Sequence, residues 1–217
     1  PDVGGSYFLN LTPGMIGRFL SLTSVHINAT DALYANLGDV FLAHEQRHSV
    51  VEALASGPWS SDAAANTAIV DEILGMEATV DQPLGVIEPL MPQINALMAG
   101  DKLNDISDRL LGYEGDNVWL QKARDGFAHG SKLAACWIFR QLNDSANYSL
   151  KEVFDTELRL GANIMRHPEF AEGVRALLVD KDRQPKWQFA TVQDVPMDVL
   201  ESFFSEPSGA PNMHYPW

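Results

Sequence analysis

The sequence predicts an α+β fold, in which a short mixed segment at residues 1–43 is followed by a mainly helical region at 44–206 and a tail at 207–217. Three observations predict this arrangement. Strand signals occur only before residue 43, and apolar residues at helical spacing dominate after it. The composition also changes near residue 43, which favours a boundary there. A hydrophobic fraction of 46% over 217 residues is enough to build a core.

The first elements are a turn-rich segment and a helix. Pro1–Asn10 is rich in turn-forming residues, and its Gly4 and Gly5 allow backbone angles or a close ligand approach that a side chain would forbid. Thr12 is a good N-cap for the apolar residues that follow it on one helical face. We therefore predict a loop at the start and an amphipathic helix at 13–22.

A short extended piece, a helix and a strand complete the segment before residue 43. Val25–Ile27 is a short run typical of extended structure. Residues 30–36 have a helical pattern that ends at Gly38. The pattern of Asp39–Leu42 predicts a strand.

Helical patterns fill the rest of the chain. Predicted helices lie at residues 44–55, 61–74, 86–99, 102–111, 116–127, 131–142 and 149–165. Pro168 marks the start of another helix at Glu169–Leu178, Pro185 interrupts the chain, and the last helix is predicted at 197–204. The tail at 207–217 is rich in Pro, Gly and polar residues, and we predict that it is draped or disordered.

The chain is acidic along its whole length. Fifteen basic residues against 29 acidic ones give a formal charge of −14. This charge disfavours nucleic acid and anionic membranes as partners, because both are polyanionic. No apolar stretch approaches the length of about 18 residues that a spanning helix requires.

The single cysteine, Cys136, excludes an internal disulfide and every zinc site built from several cysteines. It lies in the apolar run between Leu133 and Phe139. Such surroundings predict a buried structural thiol rather than a nucleophile.

One short motif suggests a metal site. His44 and His48 spell the pattern H-E-x-x-H, in which two histidines on one helical face can bind zinc while Glu45 activates water. The pattern is weakened here, because Arg47 would place a cation beside the metal. Glu72 is the only attractive third ligand, and it is equally typical of a solvated helix face. We therefore predict no metal site.

Two longer stretches carry a resemblance to a known family. The first contains Pro1-Asp-Val-Gly-Gly-Ser-Tyr-Phe8 and continues to Gly38. The second contains Glu157-Leu-Arg-Leu160, Phe170-Ala-Glu-Gly-Val-Arg-Ala176, Asp180-Lys-Asp182 and Pro185-Lys-Trp187. Both resemble the 3-hydroxyisobutyryl-CoA hydrolase branch of the crotonase (enoyl-CoA hydratase/isomerase) superfamily. The resemblance runs from residue 1 to about 204, with a weaker middle between 56 and 130.

The resemblance implies a ClpP-like spiral core followed by a helical C-terminal region. Residues 1–43 would be the last part of that core, and its earlier part would lie in an N-terminal segment absent from this sequence. The charged and aromatic residues between Arg175 and Trp187 are then expected to pack the helical region rather than to contact CoA.

The resemblance also implies a site. Asp2 would be a catalytic and substrate-contacting carboxylate, and Gly4 and Gly5 would be weaker substrate contacts. A glutamate shortly before residue 1 and the backbone amides of an oxyanion hole would come from the upstream segment. Without them, this segment alone is expected to be inactive. The Asp2 carboxylate could instead be only a turn former, since Asp readily binds backbone amides two residues on.

The implied activity is hydrolysis of a short-chain β-hydroxyacyl-CoA, most directly 3-hydroxyisobutyryl-CoA in valine catabolism. No resident cofactor is expected, because CoA is part of the substrate. The expected partners are the acyl-CoA, the upstream core segment and a possible second copy of the chain. The expected location is the bacterial cytoplasm or, in a eukaryote, the mitochondrial matrix. Two alternatives stay open: an enoyl-CoA hydratase or isomerase, and a non-catalytic helical oligomerisation module.

Overall fold

The computed structural model describes residues 2–77 and 81–207, and the regular structure in these ranges is helical. In chain order the α-helices are α1 (Gly5–Asn10), α2 (Ile16–Thr23), α3 (Ala29–Tyr34), α4 (Arg47–Ser56), α5 (Ala63–Glu77), α6 (Ile87–Leu97), α7 (Leu103–Leu111), α8 (Val118–His129), α9 (Lys132–Asp144), α10 (Leu150–Ile164), α11 (Pro168–Val174) and α12 (Met197–Phe204). Shorter turns are the 3₁₀ turns His44–Gln46 and Val192–Asp194 and the π-helical turn Arg175–Val179. None of the described helices is long and apolar enough to cross a membrane.

The chain forms two compact units. One comprises Pro1–His26 together with Leu90–Trp217, and the other comprises Ile27–Pro89. From the sequence, residues 1–43 were assigned to the last part of a spiral core, 44–206 to a helical region and 207–217 to a tail. These assignments stay predictions. The predicted tail lies outside the described residues except for Pro207.

The predicted α+β class is wrong for the part of the chain that the structure describes. Residues 2–77 and 81–207 contain no β-strand, and both Val25–Ile27 and Asp39–Leu42 are irregular. A strand persists only where a neighbouring strand pairs with its backbone N–H and C=O groups. Neither segment has such a neighbour among the described residues, so residues 2–43 hold no edge of a β-sheet.

The helices predicted from apolar periodicity are confirmed within a few residues, including those at 13–22 and 30–36. The start of the chain differs, because Pro1–Asn10 was predicted to be a loop and its last six residues form α1. No local side chain caps α1. Its amides are bound instead by Glu157, which is 151 residues away from Ser6. A cap so distant leaves no signal in the local sequence.

Helix α2 lies at the centre of the first unit, where it packs against α1, α8 and α9. Its Phe19 is fully buried. Two glycines allow the helices to approach closely: a Cβ atom at Gly17 would lie 1.9 Å from the carbonyl oxygen of Leu9, and one at Gly126 would lie 2.5 Å from that of Thr23. Any larger residue would push α2 away from α1 or α8.

Helix α10 packs against α1 and α12 in the same unit. A capping box fixes its start, because Ser149 caps the amide of Glu152 and the Glu152 carboxylate accepts a 2.7 Å hydrogen bond from the Ser149 amide. The Ser149 hydroxyl also donates a 2.7 Å hydrogen bond to this carboxylate, and the bonds from the hydroxyl and the amide of Ser149 lower the pKa of Glu152. On its buried face, Leu160 packs with Leu133 of α9 and Phe203 of α12. These contacts hold α10 in place on both sides of Glu157.

A buried carboxylate organises the second unit. Asp31 is 1% exposed. Its Oδ1 accepts hydrogen bonds of 2.7 Å from the amide of Val86 and 2.8 Å from that of Ile87. Asp31 also forms a capping box with Asn28 at the start of α3. These bonds satisfy the carboxylate and tie the start of α6 to α3.

Candidate functional site

Asp2 lies on an exposed turn immediately before α1. The amide of Gly5 donates a 2.8 Å hydrogen bond to the carbonyl oxygen of Asp2, which closes the turn over Val3 and Gly4. Val3 has a φ of 49°, and Gly4 has a φ of 87° and a ψ of 5°. Two left-handed central residues are the pattern of a type I′ turn. The turn presents the side chain of Asp2 to solvent.

The two central residues of this turn differ in how well they suit it. Gly4 is required, since a Cβ atom there would lie 3.2 Å from Cδ1 of Leu150 and 3.3 Å from Cε2 of Phe154 in addition to the positive φ. Val3 is β-branched, and a positive φ costs such a residue about 1–3 kcal/mol. The conformation at Val3 therefore persists because other contacts hold the turn.

Glu157 of α10 provides these contacts. Its Oε2 accepts a 2.7 Å hydrogen bond from the amide of Gly4. Its Oε1 accepts bonds of 2.7 Å from the amide and 2.6 Å from the hydroxyl of Ser6. Glu157 is 4% exposed and Ser6 is fully buried. Three neutral donors thus satisfy a buried carboxylate. The carboxylate also lies at the start of α1, where the positive end of the backbone dipole favours a negative charge.

The structure brings the three predicted site residues, Asp2, Gly4 and Gly5, together in this turn. It gives both glycines a backbone role, since the amide of Gly4 binds Glu157 and that of Gly5 binds Asp2. Contact of the three residues with a substrate stays a prediction. Because the amides of Gly4, Gly5 and Ser6 are all engaged, none of them is available to stabilise an oxyanion.

From the sequence, Glu157 was recognised only as part of the motif Glu157–Leu160, and its side chain was given no role. A signal for it does exist. Val153, Glu157 and Leu160 are all buried on α10, so a carboxylate occurs at an apolar position of the helix. Such a residue needs a partner inside the protein. The identity of that partner could not be read from the helix pattern.

The H-E-x-x-H motif is split between two kinds of helix. His44 belongs to a 3₁₀ turn, whereas His48 lies in α4. Nε2 of His48 lies 3.1 Å from Oε1 of Glu52, and the His48 side chain is 86% exposed. Glu72 is exposed on α5. In residues 2–77 and 81–207, no three His, Cys, Asp or Glu side chains form a group that could hold a metal ion.

Cys136 is buried on α9, as the sequence predicted. Its thiol donates a 3.7 Å hydrogen bond to the carbonyl oxygen of Val192. Burial raises the pKa of the thiol to about 11. The reactive thiolate is therefore scarce at neutral pH, which confirms the interpretation of a structural thiol.

A charged cluster holds the chain that follows α11. Arg175 donates to Glu172 at 2.8 Å and to Asp182 at 2.7 Å. Trp187 donates a 2.7 Å hydrogen bond from Nε1 to the carbonyl oxygen of His129 at the end of α8. These contacts tie the loop around residues 180–187 to α8 and α11.

An apolar cavity of about 660 Å³ lies in the same region. Its walls include Trp137, Phe170, Leu177, Leu178, Trp187 and Phe203. Leu177 and Leu178 are each 62% exposed. Clustered apolar side chains with this exposure are typical of an interaction surface.

Comparison with known proteins gives this chain its family. A sequence profile described as Enoyl-CoA hydratase/isomerase matches residues 1–204. The chain is 32% identical over 207 residues to the mitochondrial 3-hydroxyisobutyryl-CoA hydrolase of Xenopus laevis, and 31% identical over 205 residues to that of Homo sapiens. Each alignment covers 94% of this chain and 52% of the relative. The chain therefore spans about half the length of the curated relatives it matches.

Two solved structures are similar in fold. An enoyl-CoA hydratase from Rhodobacter sphaeroides has a TM-score of 0.74 and 26% identity, and the match covers 95% of this chain and 56% of that one. A carnitinyl-CoA dehydratase from Mycobacterium thermoresistibile has a TM-score of 0.78 and 25% identity, with 96% and 56% covered. The resemblance seen in the sequence motifs is confirmed by these matches. The chain belongs to the enoyl-CoA hydratase/isomerase family.

Proposed function

We propose that this chain is the C-terminal part of an enzyme that hydrolyses a short-chain β-hydroxyacyl-CoA thioester, most directly 3-hydroxyisobutyryl-CoA in valine catabolism. The observation that carries the proposal is the exposed Asp2 on a turn that Glu157 holds from inside the protein. The similarity to relatives named 3-hydroxyisobutyryl-CoA hydrolase, at 31–32% identity, supports the choice of substrate.

In the proposed reaction, water attacks the thioester carbon, the C–S bond breaks, and CoA leaves as a thiolate that takes up the proton lost by the water to become the thiol. Asp2 accepts the proton of the attacking water or orients that water, together with a second carboxylate from the upstream segment. The negative charge that develops on the carbonyl oxygen needs preorganised donors. The amides of Gly4, Gly5 and Ser6 are engaged elsewhere, so the proposal assigns these donors to the upstream segment as well. It requires no resident cofactor, because CoA enters as part of the substrate and leaves as product.

The upstream segment is the partner we propose for the apolar surface around Leu177 and Leu178. Two observations support this assignment: both side chains are 62% exposed, and the matched relatives are about twice as long as this chain. A second copy of the chain is the other candidate. Size measurement of the longest natural polypeptide that contains this chain separates them, since a monomer that shields both leucines from solvent favours the upstream segment.

Two other functions compete with hydrolysis. The similarity to an enoyl-CoA hydratase and a carnitinyl-CoA dehydratase favours addition or removal of water at the acyl chain. The exposed leucines favour a non-catalytic oligomerisation module. We place hydrolysis first because the chain is 31–32% identical to the curated hydrolases and 25–26% identical to the hydratase and the dehydratase.

We infer the location of the proposed enzyme from its relatives. The curated relatives are named mitochondrial, which supports the mitochondrial matrix if the source organism is a eukaryote. For a bacterial source, a cytoplasmic location stays an expectation, and none of the comparisons supports it.

The test is to assay the longest natural polypeptide that contains this chain with 3-hydroxyisobutyryl-CoA and with crotonyl-CoA. Release of free CoA thiol from the first substrate supports the hydrolase. Hydration of crotonyl-CoA without release of thiol would instead establish the hydratase. Binding of neither substrate, combined with self-association, would establish the oligomerisation module.

A further inference from the structure

We propose that Glu157 is a positioning residue for Asp2, because its buried carboxylate holds the strained turn that fixes the direction of the Asp2 side chain. This inference rests on the proposed function, since positioning affects the rate only if Asp2 takes part in the reaction.

The hydrogen bonds of the turn form one connected set. The amide of Gly5 binds the carbonyl oxygen of Asp2, while Glu157 binds the amide of Gly4 inside the turn and the amide and hydroxyl of Ser6 after it. Loss of the carboxylate would leave three donors unsatisfied at a buried position. An unsatisfied buried donor costs about 1–3 kcal/mol, so the turn would rearrange.

Val3 determines the direction of that rearrangement. Its φ of 49° is unfavourable for a β-branched residue, so Val3 tends to return to a negative φ. That rotation would break the hydrogen bond between the amide of Gly5 and the carbonyl oxygen of Asp2. The Asp2 side chain would then lose the direction that the turn gives it. Within the described residues, the Asp2 side chain makes no hydrogen bond or ion pair of its own. Its direction therefore depends on the backbone of the turn.

The first variant is Glu157→Gln in the longest natural polypeptide that contains this chain. It keeps the size of the side chain but replaces one acceptor oxygen with an NH₂ group, which would face the amide of Gly4 or Ser6. We expect kcat to fall about 10- to 100-fold and KM to change much less, because a misplaced group loses rate more than binding.

The matched control is Asp31→Asn in the second compact unit. Asp31 is also a buried carboxylate, and it accepts hydrogen bonds from three backbone amides, those of Asn28, Val86 and Ile87. We expect this variant to lose stability while kcat, corrected for the folded fraction, stays within about twofold of the parent. The comparison separates positioning from the general cost of losing a buried carboxylate.

The decisive variant adds Val3→Asn to Glu157→Gln. Asn tolerates a left-handed φ and is favoured in type I′ turns, so it stabilises the same turn without Glu157. The Val3 side chain is 76% exposed, so this change cannot repair a packing defect around α10. We expect Val3→Asn to restore kcat at least about fivefold, which a merely structural role of Glu157 would not allow.

Amide hydrogen exchange at Gly5 supplies a readout that is independent of activity. Exchange should accelerate in Glu157→Gln and slow again when Val3→Asn is added. If Glu157→Gln does not fold, Ser6→Ala removes one of the three bonds and should show the same changes on a smaller scale, with the same rescue.

An unchanged kcat with unchanged Gly5 exchange in Glu157→Gln, or in Ser6→Ala in its place, would overturn the inference. So would failure of Val3→Asn to restore the rate. If Gly5 exchange responds as expected but Asp2→Asn keeps the full rate, the turn is held by Glu157 and the proposed function is refuted. The two failures are therefore distinguishable.

Discussion

Arg175 and Glu172 form a two-pronged ion pair, in which Nε donates to Oε2 at 2.9 Å and Nη2 donates to Oε1 at 2.8 Å. The Glu172 carboxylate also accepts a 2.7 Å hydrogen bond from the amide of Lys186. The hydrogen bonds from Arg175, followed by that from Lys186, lower the pKa of Glu172 to about 2. The pKa of Asp182 is lowered as well, mainly by its bond from Arg175. The fixed fork of an Arg side chain makes such pairs geometrically specific.

This pair makes stability depend on pH. The pKa of Glu172 is lower in the folded chain than its ordinary value of about 4.3, so its contribution is complete above that value and is lost as the pH falls towards 2. We expect Glu172→Gln to be less stable than the parent at pH 7, and the difference to shrink between pH 5 and about 2. Denaturant unfolding of the parent and the variant, measured at several pH values between about 2 and 7, checks this expectation.

The control for that series is Glu206→Gln. The Glu206 side chain is 76% exposed, and its Oε1 lies 3.1 Å from Nη1 of Arg159. This ion pair is solvated, so its loss should have little effect on stability. A Glu172→Gln deficit that stayed constant from pH 7 to pH 2 would contradict the assignment.

If the proposed function holds, Asp2→Asn should cut hydrolysis by the longest natural polypeptide that contains this chain while leaving its fold intact. Asn keeps the size and turn-forming capacity of Asp, so the backbone bond to Gly5 is preserved. If the carboxylate transfers a proton or orients water, the rate should fall about 10²- to 10⁴-fold. Steady-state turnover of 3-hydroxyisobutyryl-CoA, measured beside thermal unfolding, checks both statements. Near-normal turnover with normal unfolding would remove Asp2 from the site.

The 217-residue chain alone should have no measurable thioesterase activity. The amides nearest to Asp2, those of Gly4, Gly5 and Ser6, already bind Glu157 or Asp2 and cannot stabilise an oxyanion. The assay compares release of CoA thiol by this chain with the uncatalysed rate. Turnover clearly above that rate would show that the chain carries its own oxyanion donors.

A chelator should leave the proposed thioesterase activity of the longest natural polypeptide that contains this chain unchanged. His48 is 86% exposed and contacts Glu52, and His44 belongs to a separate 3₁₀ turn. We expect a His44→Ala, His48→Ala double variant to keep normal turnover. Elemental analysis provides the second measurement, and one zinc ion per chain that disappears in the double variant would refute this expectation.

Local signals predicted the helices and the turn. The capping box of Ser149 and Glu152 and the apolar positions Val153 and Leu160 all lie within α10, so its bounds could be predicted from residues close in sequence. Gly4 and Gly5 likewise placed a turn beside Asp2. Each of these features depends on backbone preferences that act over a few residues.

The errors concern contacts between distant residues. Asp39–Leu42 has a strand-like pattern, but a strand also needs a partner, and none lies beside it in residues 2–77 or 81–207. The bonds from Gly4 and Ser6 to Glu157 join residues more than 150 positions apart. The left-handed conformation of Val3 was equally unpredictable, because a β-branched residue disfavours a positive φ and the Glu157 carboxylate that binds the turn is distant in sequence.

Two glycines inside helices should respond oppositely to alanine. Gly126 lies in α8, where a Cβ atom would lie 2.5 Å from the carbonyl oxygen of Thr23, so Gly126→Ala must force α8 away from α2. Overpacking of this kind costs about 1–3 kcal/mol. Gly161 lies in α10, where a Cβ atom would meet nothing within 4 Å. Gly161→Ala should therefore gain about 0.5–1 kcal/mol from the lower entropy of the unfolded chain. Thermal unfolding of the two variants checks the pair, because both changes add one methyl group to a helix and only the surroundings differ. Equal shifts in Tm, or a stabilised Gly126→Ala variant, would show that α2 and α8 do not approach as closely as described.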